Sequence, residues 1–100
     1  MTDNFGLSKR TIESLNAIFA KYPEIKHVII YGSRAKGNYR KGSDIDLALK
    51  GDGIPFSLLL KIENEIEELL LPYKIDLSIY DKIDSIDVKE HICRVGKIFG

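Results

Sequence analysis

The chain has 100 residues, which is room for one domain, so we expect residues 1–100 to form a single domain. Fifteen basic residues balance fifteen acidic ones and 44% of residues are hydrophobic, which excludes a chain kept disordered by charge and argues against strong direct nucleic-acid binding. One cysteine and two histidines cannot build a disulfide or a four-ligand structural zinc site. No apolar run reaches the length of a membrane span, and we expect a cytoplasmic protein without membrane contact.

The first half of the chain is predicted to contain a helix, a strand and a basic loop. Ser8 is placed to cap a helix that runs to about Tyr22 and is ended by Pro23. The β-branched stretch Lys26–Tyr31 predicts a strand. Residues 32–43 hold three glycines and four cations, which is typical of a loop with one helical turn. The helix would bury one stripe formed by Ile12, Leu15, Ile18, Phe19 and Tyr22.

The second half is predicted to alternate strand and helix. The elements are a strand over Asp44–Leu49, an amphipathic helix over Ser57–Leu71, a strand over Lys74–Tyr80, a helix from Asp87 with Val88, Ile92 and Val95 inward, and a short edge strand over Lys97–Phe99. The strand–helix–strand unit predicts a right-handed crossover between parallel strands. The short loop before it favours an antiparallel first pair. The fold class is therefore α/β, a small mixed sheet with helices covering one face.

Three aspartates repeat one pattern on two strands of this unit. Asp44 and Asp46 alternate with aliphatic residues on one strand, and Asp76 does so on the next, so all three are expected on the face away from the helices. Like charges held this close raise each other's pKa unless a cation joins them, and neither strand contains a lysine or arginine inside it. Oxygen ligands of this kind suit Mg²⁺ or Mn²⁺. Any one of these residues could be an ordinary exposed aspartate, but the repeat favours a metal site.

The loop before the first aspartate has the composition of a phosphate site. Gly32 and Ser33 directly follow a strand, where a glycine allows backbone amides to approach a ligand and a serine hydroxyl can donate to phosphate. Arg34 and Lys36 add positive charge. Gly37 stands at Walker A spacing from Gly32, but the Lys and Ser or Thr required after it are absent. A solvated basic turn is the alternative interpretation of this loop taken by itself.

The combination of these features resembles the nucleotidyltransferase superfamily that includes DNA polymerase β, most closely its minimal nucleotidyltransferase (MNT) branch. The segment Gly32–Gly37 reads Gly-Ser-Arg-Ala-Lys-Gly, and Ser43–Leu47 reads Ser-Asp-Ile-Asp-Leu. Ile75–Leu77, with Asp76 at its centre, stands where the family has its third carboxylate. The resemblance implies a polymerase β-like fold and covers residues 26–80 through these motifs.

The resemblance also implies roles for the aspartates. Asp44 and Asp46 would bind two Mg²⁺ ions, with Mn²⁺ as a substitute, and Asp76 would bind one of them next to the attacking hydroxyl. Asp76 would also orient or deprotonate the acceptor. The three residues would thus be both catalytic and metal-binding, in an enzyme that transfers a nucleoside monophosphate.

For the nucleotide, the resemblance assigns the basic loop. Gly32 and Ser33 would hold the triphosphate of ATP or another nucleoside triphosphate, and Arg34 and Lys36 would assist. The group transferred would be AMP from ATP, and its acceptor a hydroxyl.

The acceptor is expected on another chain, because the sequence continues for only about twenty residues after its last long strand. In the MNT branch the usual companion is a small helical HEPN protein, in a toxin–antitoxin pair in which AMP is added to a HEPN tyrosine. A homodimer or hetero-oligomer follows. Two alternatives remain, namely a non-catalytic nucleotide-binding or steric antitoxin and an adenylyltransferase acting on a small molecule. His91 is expected to be an ordinary surface or packing residue, and Cys93 a buried one.

Overall fold

A computed structural model describes residues 5–99 of the chain; the remaining residues of the predicted domain, 1–4 and 100, lie outside this range. The described part contains four helices and four strands joined by short connections. In chain order these are α1 (Lys9–Phe19), β1 (His27–Tyr31), α2 (Gly32–Lys36), β2 (Ile45–Lys50), α3 (Phe56–Glu67), β3 (Ile75–Ile79), α4 (Ile86–Val95) and β4 (Lys97–Ile98), with a 3-10 turn over Tyr80–Lys82.

The strands form one mixed sheet in the order β3-β2-β1-β4. β1 and β2 are antiparallel, with Ile30 opposite Leu47, and β4 pairs antiparallel with the other edge of β1. β2 and β3 are parallel and joined through α3. The predicted fold class, the directions of the β1–β2 and β2–β3 pairs, the short edge strand after α4 and the single helical turn at the start of the basic loop are confirmed.

One face of the sheet carries the hydrophobic core beneath α1 and α3. Ser8 caps α1 as predicted, its side chain accepting a hydrogen bond from the backbone N–H of Thr11. Burial of each large aliphatic side chain here contributes about 1.5–3 kcal/mol. The most deeply buried of them are Leu7, Leu15, Ile30, Ile45, Leu47, Leu49 and Ile62.

Two helices end earlier than predicted. α1 ends at Phe19, before Tyr22, although Tyr22 stays buried and its hydroxyl donates to Glu65 of α3. α3 ends at Glu67 because the next residues form a turn in which Leu70 has a left-handed φ of 53°. In the sequence, the apolar spacing continues past the last residue of each helix, because the turn residues that follow also pack on the core.

α4 packs on the opposite face of the sheet, against β1, so the prediction that the helices cover only one face is wrong. Ile92 of α4 is buried there, as is Ala48 of β2. Val88 and Cys93 are exposed, so the predictions that both point inward are wrong. The face that carries the carboxylates is consequently covered in part by α4, and it is open at Asp76 of the edge strand β3, which is exposed. None of the helices within residues 5–99 is both long and apolar enough to cross a bilayer.

Candidate active site

The sheet brings Asp46 and Asp76 side by side. They are paired residues of the parallel strands β2 and β3, which in a sheet run about 4.8 Å apart. Ile45 and Leu47, on either side of Asp46, are fully buried in the core, so Asp46 itself must point to the opposite face. Asp44 lies one residue before β2 and is exposed. The predicted clustering of the carboxylates is thus a consequence of strand register.

Asp46 carries the clearest electrostatic signature of the site. Partial burial raises the pKa of its carboxyl group, and the negative charges of Asp76 and Asp44 raise it further. His91 acts in the opposite sense and lowers the pKa of Asp46. The ionised form of this carboxylate is therefore disfavoured by its surroundings, which is the condition that a bound cation relieves.

The donor set fits a hard divalent ion that keeps other ligands. Within residues 5–99, no three Asp, Glu, His or Cys side chains are grouped closely enough to hold a metal ion by themselves. Mg²⁺ is commonly bound by one or two carboxylates and completes its shell with water and substrate phosphates. Asp46 and Asp76, with Asp44 beside them, suit that mode of binding and not a closed cage of protein ligands.

Gly32 lies directly against the carboxylate of Asp46. It is the first residue after β1 and has a φ of 73°, which L-residues with a side chain rarely adopt. A Cβ atom at this position would collide with Oδ2 of Asp46. The positive φ favours glycine here, and a Cβ atom would in addition force the carboxylate of Asp46 to move. The basic loop therefore begins in contact with the acidic cluster.

The other predicted phosphate-binding residues follow on α2. Ser33 is half-buried next to Gly32, and Lys36 is exposed at the end of the helix. Gly37 ends α2 with a φ of 88°, and its N–H donates to the carbonyl of Ser33. Gly32, Ser33 and Asp46 are close together, whereas Lys36 lies on the solvent side of the helix.

Arg34 has a different environment from the one predicted. It is 2% exposed, and its guanidinium donates through Nε and Nη2 to the carbonyl of Ser43 (3.0 and 2.9 Å) and through Nη1 to that of Phe5 (2.9 Å). The rings of Tyr39 and Tyr73 lie 5.2 and 5.0 Å from it. This geometry argues against direct contact with a triphosphate. Arg34 instead ties α2 to the backbone just before Asp44.

Three residues of this face were missed by sequence reasoning. Tyr31 is half-buried, and burial together with Asp76 and Asp46 raises the pKa of its hydroxyl, while a hydrogen bond with Ser78 acts against that rise. The ring of His91 meets the Tyr31 ring edge-on at 6.2 Å. Alternation along β1 and β3 could have indicated Tyr31 and Ser78. Nothing local could have indicated His91, because its position depends on where α4 docks.

A family model described as polymerase beta, nucleotidyltransferase, matches residues 13–99. The chain belongs to this family. Among curated proteins, this nucleotidyltransferase is 39% identical over 62 residues to MJ0604 of Methanocaldococcus jannaschii, a candidate protein adenylyltransferase. The match covers 61% of this chain and 58% of MJ0604, so the aligned region is a little over half of the relative.

Solved structures share the fold of this nucleotidyltransferase at low identity. A toxin–antitoxin complex crystallised with AMP-PNP has a TM-score of 0.71 at 19% identity, covering 94% of this chain and 73% of that one. The complex of a tri-AMPylated Shewanella oneidensis HEPN toxin with its MNT antitoxin has a TM-score of 0.69 at 14% identity, covering 94% and 72%. Both similarities establish the polymerase β-like architecture, which confirms the resemblance seen in the sequence.

Proposed function

We propose that this nucleotidyltransferase transfers AMP from ATP, in a Mg²⁺-dependent reaction, to a hydroxyl group, most simply a tyrosine of a HEPN-type partner in an antitoxin role. The observation that carries the proposal is the contact between Gly32 and Asp46, with Asp76 paired alongside. A glycine-initiated basic loop against an acidic cluster is the charge separation that a metal-bound nucleotide requires.

The roles of the residues follow from their positions. The backbone at Gly32 and the hydroxyl of Ser33 would donate to the triphosphate, and Lys36 would approach it from the solvent side. Asp76, on the more open strand β3, would orient the acceptor hydroxyl and accept its proton. Arg34 would support the loop from within.

Asp44, Asp46 and Asp76 would hold the divalent ions. When bound, Mg²⁺ would supply positive charge that neutralises the phosphates and favours departure of pyrophosphate. Metal binding would stabilise the ionised form of Asp46 most, because burial and the neighbouring aspartates disfavour that form. The acceptor oxygen forms a bond to the α-phosphorus while the bond to the pyrophosphate oxygen breaks.

A protein acceptor is supported by two relatives. MJ0604 is a candidate protein adenylyltransferase, and the Shewanella structure contains an AMPylated HEPN toxin beside an MNT protein. Asp76 is exposed on the edge strand β3, so a hydroxyl group of a second macromolecule can approach it. A hetero-oligomer is therefore proposed as the working form.

A second candidate function keeps the complex and omits the chemistry. In it, the chain would neutralise a HEPN protein by occupying its surface. A half-buried Asp46 whose pKa is raised by burial and by the charges of Asp76 and Asp44 is unfavourable in a purely steric module, and this observation favours the enzyme.

The test is transfer of label from ATP. The chain, a HEPN-type protein and Mg²⁺ are incubated with ATP labelled at the α-phosphate, and in parallel with ATP labelled at the γ-phosphate. We expect α-label alone to enter the partner, and Asp44→Asn to reduce it by about a hundredfold or more.

The outcomes separate the three functions. A wild-type complex that forms without transfer, together with Asp44→Asn neutralising the HEPN protein normally in cells, would support the steric function and contradict the enzyme. If the chain consumes ATP without a partner when small hydroxyl compounds are added, and does so as fast as with the partner, the small-molecule alternative is supported.

A further inference from the structure

An apolar groove lies between α3 and the edge strand β3, on the face of the sheet opposite the active site. Its volume is about 760 Å³. Ile75 and Leu77 of β3 line it on one side, and Ile66 of α3 lies on its floor. β3 is the edge of the described sheet, so nothing within residues 5–99 continues the structure beyond it. The groove is large enough to accept side chains from another molecule.

The α3 side of the groove has a second amphipathic stripe, distinct from the one that faces the core. The members within α3 recur at helical spacing and so share one surface of the helix, while Leu70 lies in the turn after the helix and lines the same groove. Leucines stand at both ends and acidic or amide side chains stand between them. In order, the stripe contains Leu60, Glu63, Asn64, Glu67 and Leu70.

The leucines of this stripe are unusually exposed. Leu60 is 48% exposed and Leu70 is 88% exposed. Leu70 also has a φ of 53°, a conformation that glycine adopts freely and that is strained for leucine. Glycine at this position would relieve the strain and lose almost no buried surface. A strained, exposed leucine at the mouth of an apolar groove is the arrangement expected of a contact residue.

The charges of the stripe indicate what kind of molecule covers it. Glu63 and Glu67 are exposed, and no ion pair engages either of them within residues 5–99. Lys74 also lines the groove, so the charge of the lining is negative by one unit, with both glutamates on the α3 side. A second copy packed antiparallel on this stripe would match Leu60 with Leu70 but would bring Glu63 of one copy against Glu67 of the other, twice. Like charges in such contacts are unfavourable, which disfavours self-association through this face. Basic side chains opposite the glutamates would be favourable.

We propose that this groove docks an amphipathic helix of the partner protein, with Lys or Arg side chains between two apolar anchors. Leu60 lies on α3 and Leu70 lies in the turn that follows the end of the helix at Glu67, so the two anchors lie at different ends of the stripe. A helix fits better than a strand, because the groove continues the helical layer of α1 and α3. The proposal rests on the helical partner of the proposed function and adds where that partner binds.

The experiment measures the affinity of the chain for a HEPN-type protein that forms a complex with it, by isothermal titration calorimetry at several salt concentrations. We expect Leu60→Asp, Leu70→Gly and the double change Glu63→Lys with Glu67→Lys each to weaken binding by about tenfold or more. Affinity of the wild type is expected to fall with added salt, and the double variant to lose that dependence.

Controls keep the result interpretable. Ile86 of α4 is 71% exposed on the other face, and Ile86→Asp should change affinity by less than about twofold. Because Leu70→Gly is expected to stabilise the fold, a loss of binding in that variant cannot be attributed to unfolding. Thermal melting of every variant is recorded alongside, and nucleotide transfer to partner supplied in saturating excess should stay near the wild-type level.

Several results would overturn the proposal. Groove variants that bind the partner as tightly as the wild type would contradict it. A loss of affinity that is larger in Ile86→Asp than in the groove variants would also contradict it and would place the docking site on α4. Self-association of the chain that disappears in Leu60→Asp would make a second copy the occupant. A complex that depends on the groove but transfers no label would contradict the proposed enzyme and leave the docking site standing.

Discussion

At the scale of single residues, Gly32 joins the two halves of the site. Gly32 and Gly37 both have positive φ, but only at Gly32 would a Cβ atom meet another group, the carboxylate of Asp46. We expect Gly32→Ala and Gly37→Ala each to lower the free energy of unfolding by about 1 kcal/mol, because both are strained. Denaturant titrations of the two variants measure this.

The two variants should differ in function. In Gly32→Ala the flexible end of Asp46 must rotate away, and displacement of a reacting group by about 1 Å can cost about a hundredfold in rate. Gly37→Ala should keep most of the transfer activity, since its surroundings are open. Equal activities for the two variants would show that contact with Asp46 does not matter.

Asp46 predicts a pH dependence of stability in metal-free protein. The folded pKa of this carboxyl is raised, so the folded state holds the proton more tightly than the unfolded state does. Stability contributed by this residue is therefore present at acid pH and is lost as the pH rises from the ordinary value of a carboxyl through the folded pKa.

Asp46→Asn removes this contribution. We expect the variant to be more stable than the wild type at pH 7, with a flatter profile between acid and neutral pH, while transfer falls by about a hundredfold. Denaturant midpoints across this pH range provide the measurement. A wild-type protein that gained stability on going from acid to neutral pH through Asp46 would contradict the electrostatic account.

The buried hydrogen bonds of Arg34 predict that replacing this residue lowers the free energy of unfolding. A lysine keeps the positive charge but cannot reproduce hydrogen bonds to both Ser43 and Phe5 or the flat contact with two tyrosine rings. Arg34→Lys is expected to cost about 2–4 kcal/mol. The exposed Arg40 in the same loop is the matched control, and Arg40→Lys should change stability by less than about 0.5 kcal/mol. If Arg34→Lys and Arg40→Lys lost similar amounts of stability, the proposed role of buried Arg34 in holding α2 to the rest of the fold would be contradicted.

At the scale of elements, the end of α3 is under strain. Leu70 follows the helix in a left-handed conformation and is almost fully exposed. We expect Leu70→Gly to raise the free energy of unfolding by about 1 kcal/mol, measured by chemical denaturation. Leu70→Ala, which keeps the unfavourable φ, is the control and should give little or no gain. A destabilised glycine variant would mean that the leucine side chain packs in the free protein.

Sequence reasoning was most reliable where one local signal decides a feature. The alternation around Asp46 and Asp76, the loop length before β2 and the crossover through α3 were sufficient for the strand directions and for the clustering of carboxylates. The burial of Arg34 could not be foreseen, because its partners Phe5 and Tyr73 are distant in the chain. The approach of α4 likewise depends on tertiary packing, which explains why His91 was missed and Cys93 misplaced.

At the scale of the whole molecule, the net charge is zero, but the two faces of the sheet differ in composition and in proposed role. One face packs against α1 and α3 and carries the core, and the apolar groove between α3 and β3 lies at its edge. The other carries the aspartates, borders the basic loop and is partly covered by α4. Chemistry and docking can therefore occupy opposite sides of a small sheet without competing for residues.

The central claim is that this chain moves an adenylyl group with Asp44, Asp46 and Asp76. The most direct measurement is intact-mass spectrometry of the HEPN-type partner after incubation with the chain, ATP and Mg²⁺, with pyrophosphate quantified in the same reaction. We predict a mass gain of one or more adenylyl groups, one pyrophosphate released for each, and neither product with Asp46→Asn. An unmodified partner in a stable complex, or modification that persists in Asp46→Asn, would contradict the account.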